Sequence, residues 1–110
     1  MIYLSVEDFL NRVREIPRLS REEEKKLAQR MAEGDREARE LLVRGYLHMA
    51  AAYVRRAPEK IQTLRTVYAC VGEVEKGVDS FNFLQEGETF AHHLSWRLRQ
   101  CITRCIAERP

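Results

Sequence analysis

Apolar residues recur three and four positions apart along most of the chain, which is the spacing of one face of an α-helix. The pattern is clearest over residues 89–109, where Leu94, Leu98 and Ile102 share a face and neither proline nor glycine interrupts the run. No segment alternates apolar and polar residues in the way that a strand requires. The sequence therefore predicts an all-α fold.

Proline, glycine and capping residues divide this pattern into separate helices. The first helix is predicted to end before Pro17, because the residue that precedes a proline disfavours helical dihedral angles. Ser20 and Glu23 have the spacing of a capping box, Gly34 ends the second helix, and Pro58 follows the third. The helices after the first are predicted at about residues 21–33, 36–57, 59–79 and 90–109.

A chain of 110 residues is long enough for one modest core, so we predict a single compact bundle of four to five helices. Its parts are N-terminal helices (1–34), core helices (35–79), a loop (80–89) and a last helix (90–109). Gly72 and Gly77 weaken the fourth helix and allow a bend or an early end there. Phe81 and Phe83 are expected to tuck into the core from the loop.

Several classes of function are disfavoured by the sequence. It has no glycine-rich phosphate loop, no HExxH motif and no nucleophile with a base, so we expect neither an enzyme nor a bound cofactor. Its three cysteines, Cys70, Cys101 and Cys105, lack CxxC spacing and are expected to pack between helices rather than bind metal or form a disulfide framework. No apolar run predicts a membrane span or a signal peptide, so we expect a cytoplasmic protein with no membrane partner.

The outer faces of the last helix carry residue types that bind nucleic acid. The net charge is only +2, so binding must come from local clustering of the kind that residues 97–109 provide. One stripe contains His92, Trp96, Arg99 and Thr103, and the next contains His93, Arg97, Gln100 and Arg104, with Arg109 beyond them. Arginine neutralises phosphates, an aromatic face stacks on an unpaired base, and amide or hydroxyl groups bond to base edges. The alternative is a solvated amphipathic helix with a half-buried Trp96.

Two blocks of the sequence resemble bacterial sigma factors of the sigma-70 family. The block FAHHLSWRLRQCITRCIAE is similar to the region that recognises and opens the upstream promoter hexamer. The block IPRLSREEEKKLAQRMAEGDREARELLV, residues 16–43, is similar to the helix-turn-helix entrance of the same family. The first agreement is carried by Phe90, Trp96, Leu98, Arg99, Gln100, Ile102, Thr103, Arg104, Ile106 and Ala107. The blocks have the family's order and separation, and the resemblance implies a central bundle of the third, fourth and last helices.

The resemblance also implies roles for the last helix. Gln100 and Thr103 match positions that read the last duplex base pair upstream of the melted segment, and Arg99 and Arg104 match positions at the phosphate backbone. Trp96 matches the first of two adjacent tryptophans that brace the fork after one base has left the stack.

The chain departs from the family at other positions. Arg97 replaces the second tryptophan, His93 replaces the aromatic that stacks on the flipped base, and Tyr46 stands where an asparagine is common. The fourth helix lacks the acidic, glutamine-containing motif that docks on the clamp of the largest polymerase subunit. Either other residues make this contact, for which the candidates are Arg65, Tyr68, Glu73 and Glu75, or the contact has been lost.

The function implied by the resemblance is that of a sigma-like transcription initiation domain. It would bind the upstream promoter hexamer and the RNA polymerase core, together with a companion subunit if the chain is complete, or with later domains if it continues beyond Pro110. The alternative is a sigma-fold interaction or regulatory module that no longer melts promoter DNA. The expected partners are promoter DNA, core polymerase, and a companion sigma subunit or an anti-sigma factor.

Overall fold

The computed structural model describes residues 2–108, and within them it contains five α-helices, one 3-10 turn and no β-strand. The helices are α1 (Val6–Arg14), α2 (Arg21–Ala32), α3 (Arg36–Arg56), α4 (Leu64–Ser80) and α5 (Phe90–Glu108). The 3-10 turn, Glu59–Ile61, lies between α3 and α4. The predicted all-α bundle is confirmed. Arg109, which the sequence places in the last helix and its basic cluster, lies outside the described residues.

Local hydrogen bonds and one glycine set the boundaries of α2 and α3. The backbone N–H of Glu23 donates to Ser20 Oγ at 3.1 Å, and the Ser20 N–H donates to the Glu23 carboxylate at 2.8 Å. Each side chain thus satisfies an N–H group that the helix itself leaves without a partner, and the predicted capping box is confirmed. Gly34 follows α2 with a φ of 93°, which favours glycine, and Asp35 then caps α3 through two backbone N–H groups.

The fourth helix begins later than predicted. A start at Glu59 is wrong, because residues 59–61 form the separate 3-10 turn. Gln62 holds this turn by donating from its side-chain amide to the Ala57 carbonyl at 2.9 Å. Thr63 then adopts an extended conformation and accepts the N–H of Thr66 at 3.3 Å, so it caps α4.

The two glycines of α4 do not end it. The helix continues through Gly72 and Gly77 to Ser80, so the early end allowed by the sequence is wrong. At Gly77, an added Cβ would lie 3.4 Å from the ring of Phe90, the first residue of α5. That distance is ordinary van der Waals contact, and the packing of α4 against α5 at this position offsets the low helix propensity of glycine.

The core lies between α3, α4 and α5, while α1 and α2 pack against α3. Large side chains removed from water come from α1, α3, α4 and α5: Phe9, Leu42, Leu47, Val54, Val67, Val74, Val78, Leu94 and Leu98. At the surface, the guanidinium of Arg39 in α3 donates to both oxygens of Asp79 in α4 at 2.6 and 2.9 Å. This hydrogen-bonded pair holds the pKa of Asp79 below its ordinary value.

Aromatic residues of the loop fix the start of α5. Phe81 and Phe83 are half-buried and meet edge to face, with their ring centroids 5.2 Å apart. Phe83 also packs on Phe90, with a centroid distance of 4.8 Å. The expectation that both loop phenylalanines contribute to the core is confirmed, and α5 therefore starts from an anchored position.

The cysteines lie where α4 meets α5. Cys70 and Cys101 are buried, with their Sγ atoms 4.0 Å apart, and Cys105 is half-buried one turn farther along α5. These positions confirm that Cys70 and Cys101 are packing residues between helices. In residues 2–108, no three His, Cys, Asp or Glu side chains are grouped so that they could hold a metal ion. None of the helices described is both long and apolar enough to cross a membrane.

Candidate nucleic-acid interface

The last helix, α5, has a buried side and an exposed side. Phe90, Leu94 and Leu98 are buried and attach the helix to α3 and α4. Trp96 lies on the other side and is 57% exposed. The indole is therefore presented to solvent, although an aromatic side chain of this size usually buries most of its surface.

Five of the sequence-predicted DNA-binding residues lie along one surface, which we call the α5 strip: Trp96, Arg99, Gln100, Thr103 and Arg104. Together they line a shallow hollow of about 420 Å³. The Thr103 hydroxyl donates to the Arg99 carbonyl at 3.0 Å, and its oxygen can still accept a hydrogen bond. The strip thus combines an aromatic face, two guanidinium groups, an amide and a hydroxyl group.

His93 belongs to a second hollow, which shares Trp96 and Arg99 with the strip and has a volume of about 810 Å³. Its imidazole packs beside the Phe81 ring at a centroid distance of 5.1 Å, and its Nδ1 lies 3.8 Å from a carboxylate oxygen of Glu88. The His93 side chain is only 25% exposed, and its Nε2 atom is buried without a hydrogen-bond partner. His93 is therefore near the strip, but much of its ring is covered by the loop.

Arg97 and Arg104 meet at a buried carboxylate. Glu73 of α4 is only 7% exposed, and its Oε1 lies 3.2 Å from Arg97 Nε. Its Oε2 accepts a hydrogen bond from Arg104 Nη2 at 3.1 Å and lies 4.0 Å from the ammonium group of Lys76. The Glu73 carboxylate holds the pKa of Arg104 above its ordinary value. One acid is therefore surrounded by three cations.

The two arginines of this cluster differ in exposure. The Arg97 side chain is 26% exposed, and its Nε is buried and poorly aligned for a hydrogen bond despite its short distance to Glu73. Its aliphatic stem passes over Gly77, where an added Cβ would lie 3.5 Å from Cδ. The Arg104 side chain is 61% exposed and also lines the hollow of the α5 strip. The structure thus turns Arg97 toward α4 and leaves Arg104 at the surface.

Tyr46 is held within the bundle. Its hydroxyl donates to the Glu24 carboxylate, and its ring meets Phe90 edge to face at a centroid distance of 4.7 Å. Burial, together with the bond to Glu24, raises the pKa of Tyr46. The side chain therefore joins α2, α3 and α5.

The residues considered for polymerase binding do not share one environment. Arg65, Tyr68 and Glu75 are exposed on α4, whereas Glu73 is buried against α5. The hydroxyl of Tyr68 accepts the backbone N–H of Tyr3 at 2.8 Å and donates to the Tyr3 carbonyl at 3.3 Å. Three of the four candidates therefore lie on the exposed face of α4, and Glu73 does not. The N-terminal segment is attached to this face through the contact between Tyr3 and Tyr68.

Sequence reasoning did not identify the Glu73 cluster as a unit. A signal was present, because Glu73 falls within the apolar series of α4, between Cys70 and Gly77, at the spacing of a buried face. A carboxylate at such a position needs cationic partners, but the sequence does not say which helix provides them.

Comparisons with known proteins agree with the sequence resemblance. The family model described as Sigma-70 factor, region 1.2, matches residues 5–37. The chain is 33% identical over 102 residues to the RNA polymerase sigma factor SigA of Clostridium acetobutylicum, a match that covers 92% of this chain and 27% of that protein. It is 29% identical over 102 residues to the RNA polymerase sigma factor SigA of a Bacillus species, with the same coverage of 92% and 27%. The chain thus spans about a quarter of the length of these relatives, 27% in each case. No solved structure matches it.

Proposed function

We propose that the α5 strip binds promoter DNA at the point where duplex gives way to single strand. The premise is that the chain is a divergent member of the sigma-70 family. The observation that carries this proposal is the exposed indole of Trp96 beside the guanidinium of Arg99, in one hollow with Gln100 and Thr103. Stacking on an unpaired base, phosphate neutralisation and bonding to base edges each need one of these groups. The proposed role is recognition of the upstream hexamer during transcription initiation.

The proposal includes binding to the RNA polymerase core through the exposed face of α4. Arg65, Tyr68 and Glu75 provide a cation, an aromatic ring and an acid on that face. The name RNA polymerase sigma factor, which both relatives carry, supports core polymerase as the partner. Promoter selection then depends on a companion sigma subunit or on further domains.

Arg99→Ala tests the proposed DNA interface. Among residues 2–108, Arg99 has no ion pair, so its guanidinium is available to a phosphate. Loss of one exposed charge contact of about 1 kcal/mol should weaken binding to fork-junction DNA about 5-fold. The slope of log affinity against log salt should become shallower by about 1. Fluorescence anisotropy with fork-junction, duplex and single-stranded oligonucleotides measures both effects.

Arg36→Ala is the matched control, because Arg36 is an exposed arginine at the start of α3, away from the strip. It makes the same change in net charge and should alter binding far less. Equal losses for the two variants would indicate a general charge effect and would refute the proposed interface.

A second candidate function is an interaction or regulatory module that no longer opens DNA. It is favoured by the inward placement of Arg97 and by the partly covered ring of His93, since these residues occupy the positions of two melting aromatics in the resemblance. A module of this kind would bind a companion sigma subunit or an anti-sigma factor through the same fold.

A pull-down with core polymerase, followed by permanganate footprinting, separates the two candidates. If the chain acts in initiation, we expect it to retain core polymerase and, with its companion, to make thymines of the upstream hexamer reactive. Retention of a companion without permanganate reactivity would instead support the regulatory module. The purified chain alone serves as the control for nonspecific retention.

A further inference from the structure

The buried acid Glu73 is shared between an inward-facing arginine and an arginine of the strip. One carboxylate oxygen is near Arg97 and the other accepts from Arg104, at 3.2 and 3.1 Å respectively. The Arg97 side chain is largely covered, whereas the Arg104 side chain is mostly exposed. Glu73 therefore connects the interior of the α4–α5 interface to the surface on which we propose that DNA binds.

Arg104 is the cation of the strip that already has an acidic partner within residues 2–108, while Arg99 has none there. Guanidinium groups bind carboxylates and phosphates through the same N–H geometry. Glu73 takes up one of the N–H groups of Arg104, so a phosphodiester oxygen that approaches this side chain shares the guanidinium charge with Glu73. The negative charge of Glu73 also acts on a phosphate at this position, since only the Arg104 guanidinium separates them.

We infer that Glu73 competes with nucleic-acid phosphates for Arg104 and thereby limits the affinity of the α5 strip for DNA. The inference rests on the proposed function, because it assumes that DNA phosphates reach the strip. The exchange is feasible because Arg97 and Lys76 remain beside Glu73 when Arg104 turns away. The buried carboxylate is then still accompanied by positive charge, which avoids the large cost of an unpaired buried ion.

Glu73→Gln is the direct test, because glutamine keeps the size of the side chain and an acceptor for Arg104 but removes the charge. We expect the variant to bind fork-junction DNA about 2- to 5-fold more tightly at low salt, because the mostly exposed Arg104 no longer has a charged partner within the protein. The salt dependence should steepen by up to about 0.9 in the log–log slope, because one more cation acts on phosphate. Glu37→Gln is the control, since Glu37 is exposed on α3 and gives the same change in net charge.

The effect must depend on Arg104. In an Arg104→Ala background, which should itself bind more weakly, the Glu73→Gln substitution should give no further gain. A gain that persists in this background would overturn the inference, because it would reflect net charge alone. An equal gain from Glu37→Gln would overturn it for the same reason.

Glu73→Gln removes the acidic partner of Arg97 and could impair folding for that reason, so a second variant is needed. The double variant Glu73→Gln/Arg97→Gln removes the inner ion pair as a unit and leaves the net charge unchanged. We expect it to fold, as judged by circular dichroism, and to bind DNA about 2- to 5-fold more tightly than the parent chain. Unchanged or weaker binding by the folded double variant would overturn the inference.

The parent chain separates failure of this inference from failure of the proposed function. If it shows no salt-dependent binding to fork-junction, duplex or single-stranded DNA, both ideas fail. If the parent binds and Arg99→Ala weakens binding, but neither Glu73 variant binds more tightly, only the competition by Glu73 fails.

Discussion

Trp96→Ala should weaken binding to fork-junction DNA by about 5- to 150-fold, which corresponds to the roughly 1–3 kcal/mol of stacking one base on an aromatic side chain. Trp96 is the aromatic side chain of the α5 strip, and its ring is open to solvent. The same substitution should lower the free energy of unfolding far less than truncation of a core residue, because more than half of the Trp96 surface is exposed. Anisotropy and urea denaturation of the same preparation measure the two quantities.

Ile106→Ala is the matched control, since Ile106 is also an exposed apolar residue of α5 but does not line the strip. It should leave DNA binding within about 2-fold of the parent, in line with the small effects of substitutions away from a binding surface. If Trp96→Ala binds fork-junction DNA as tightly as Ile106→Ala, the indole does not stack on a base and the proposed interface is wrong.

Leu98→Ala should have the opposite effects to Trp96→Ala, with a large loss of stability and little change in DNA binding. Leu98 is fully buried between α5 and the rest of the core, and its truncation should lower the free energy of unfolding by about 2–5 kcal/mol. Urea denaturation should show a lower midpoint with an unchanged m value, because the folded and unfolded states expose the same surface as before.

Trp96→Ala provides the internal comparison for Leu98→Ala, because the two residues lie two positions apart on one helix. Fork-junction binding by the folded fraction of Leu98→Ala should remain near that of the parent. If Leu98→Ala lowers the free energy of unfolding by less than about 1 kcal/mol, the assigned burial of this side of α5 is contradicted, since truncation of a packed leucine rarely costs so little.

We expect Trp96 to provide most of the base stacking, because the neighbouring residues are engaged within the protein. Arg97 contacts Glu73, and His93 packs beside Phe81, so neither presents a free apolar face comparable to the indole. Opening a duplex requires a surface that compensates for lost base stacking. We therefore expect this chain alone to bind a preformed fork more tightly than a closed duplex of the same sequence, and to open that duplex poorly.

Local information in the sequence was sufficient for most of the fold. The three- and four-residue spacing located the amphipathic helices, and the Ser20–Glu23 capping box located the start of α2, because both effects act within one turn of the chain. The start of α4 was missed, since both Pro58 and Thr63 are suitable residues for the beginning of a helix. The difference between two such local starts is small and depends on tertiary contacts.

The residue types of the strip were also readable from the sequence, as was the resemblance to the sigma-70 family. The sequence by itself determined that Trp96, Arg97, Arg99 and Arg104 lie on one helix, outside its apolar face. Only the tertiary structure decided that Trp96 stays in solvent while Arg97 turns toward a buried acid. The physical reason is that Glu73 lies on another helix, 31 residues before Arg104, and periodicity within one helix carries no information about its partner.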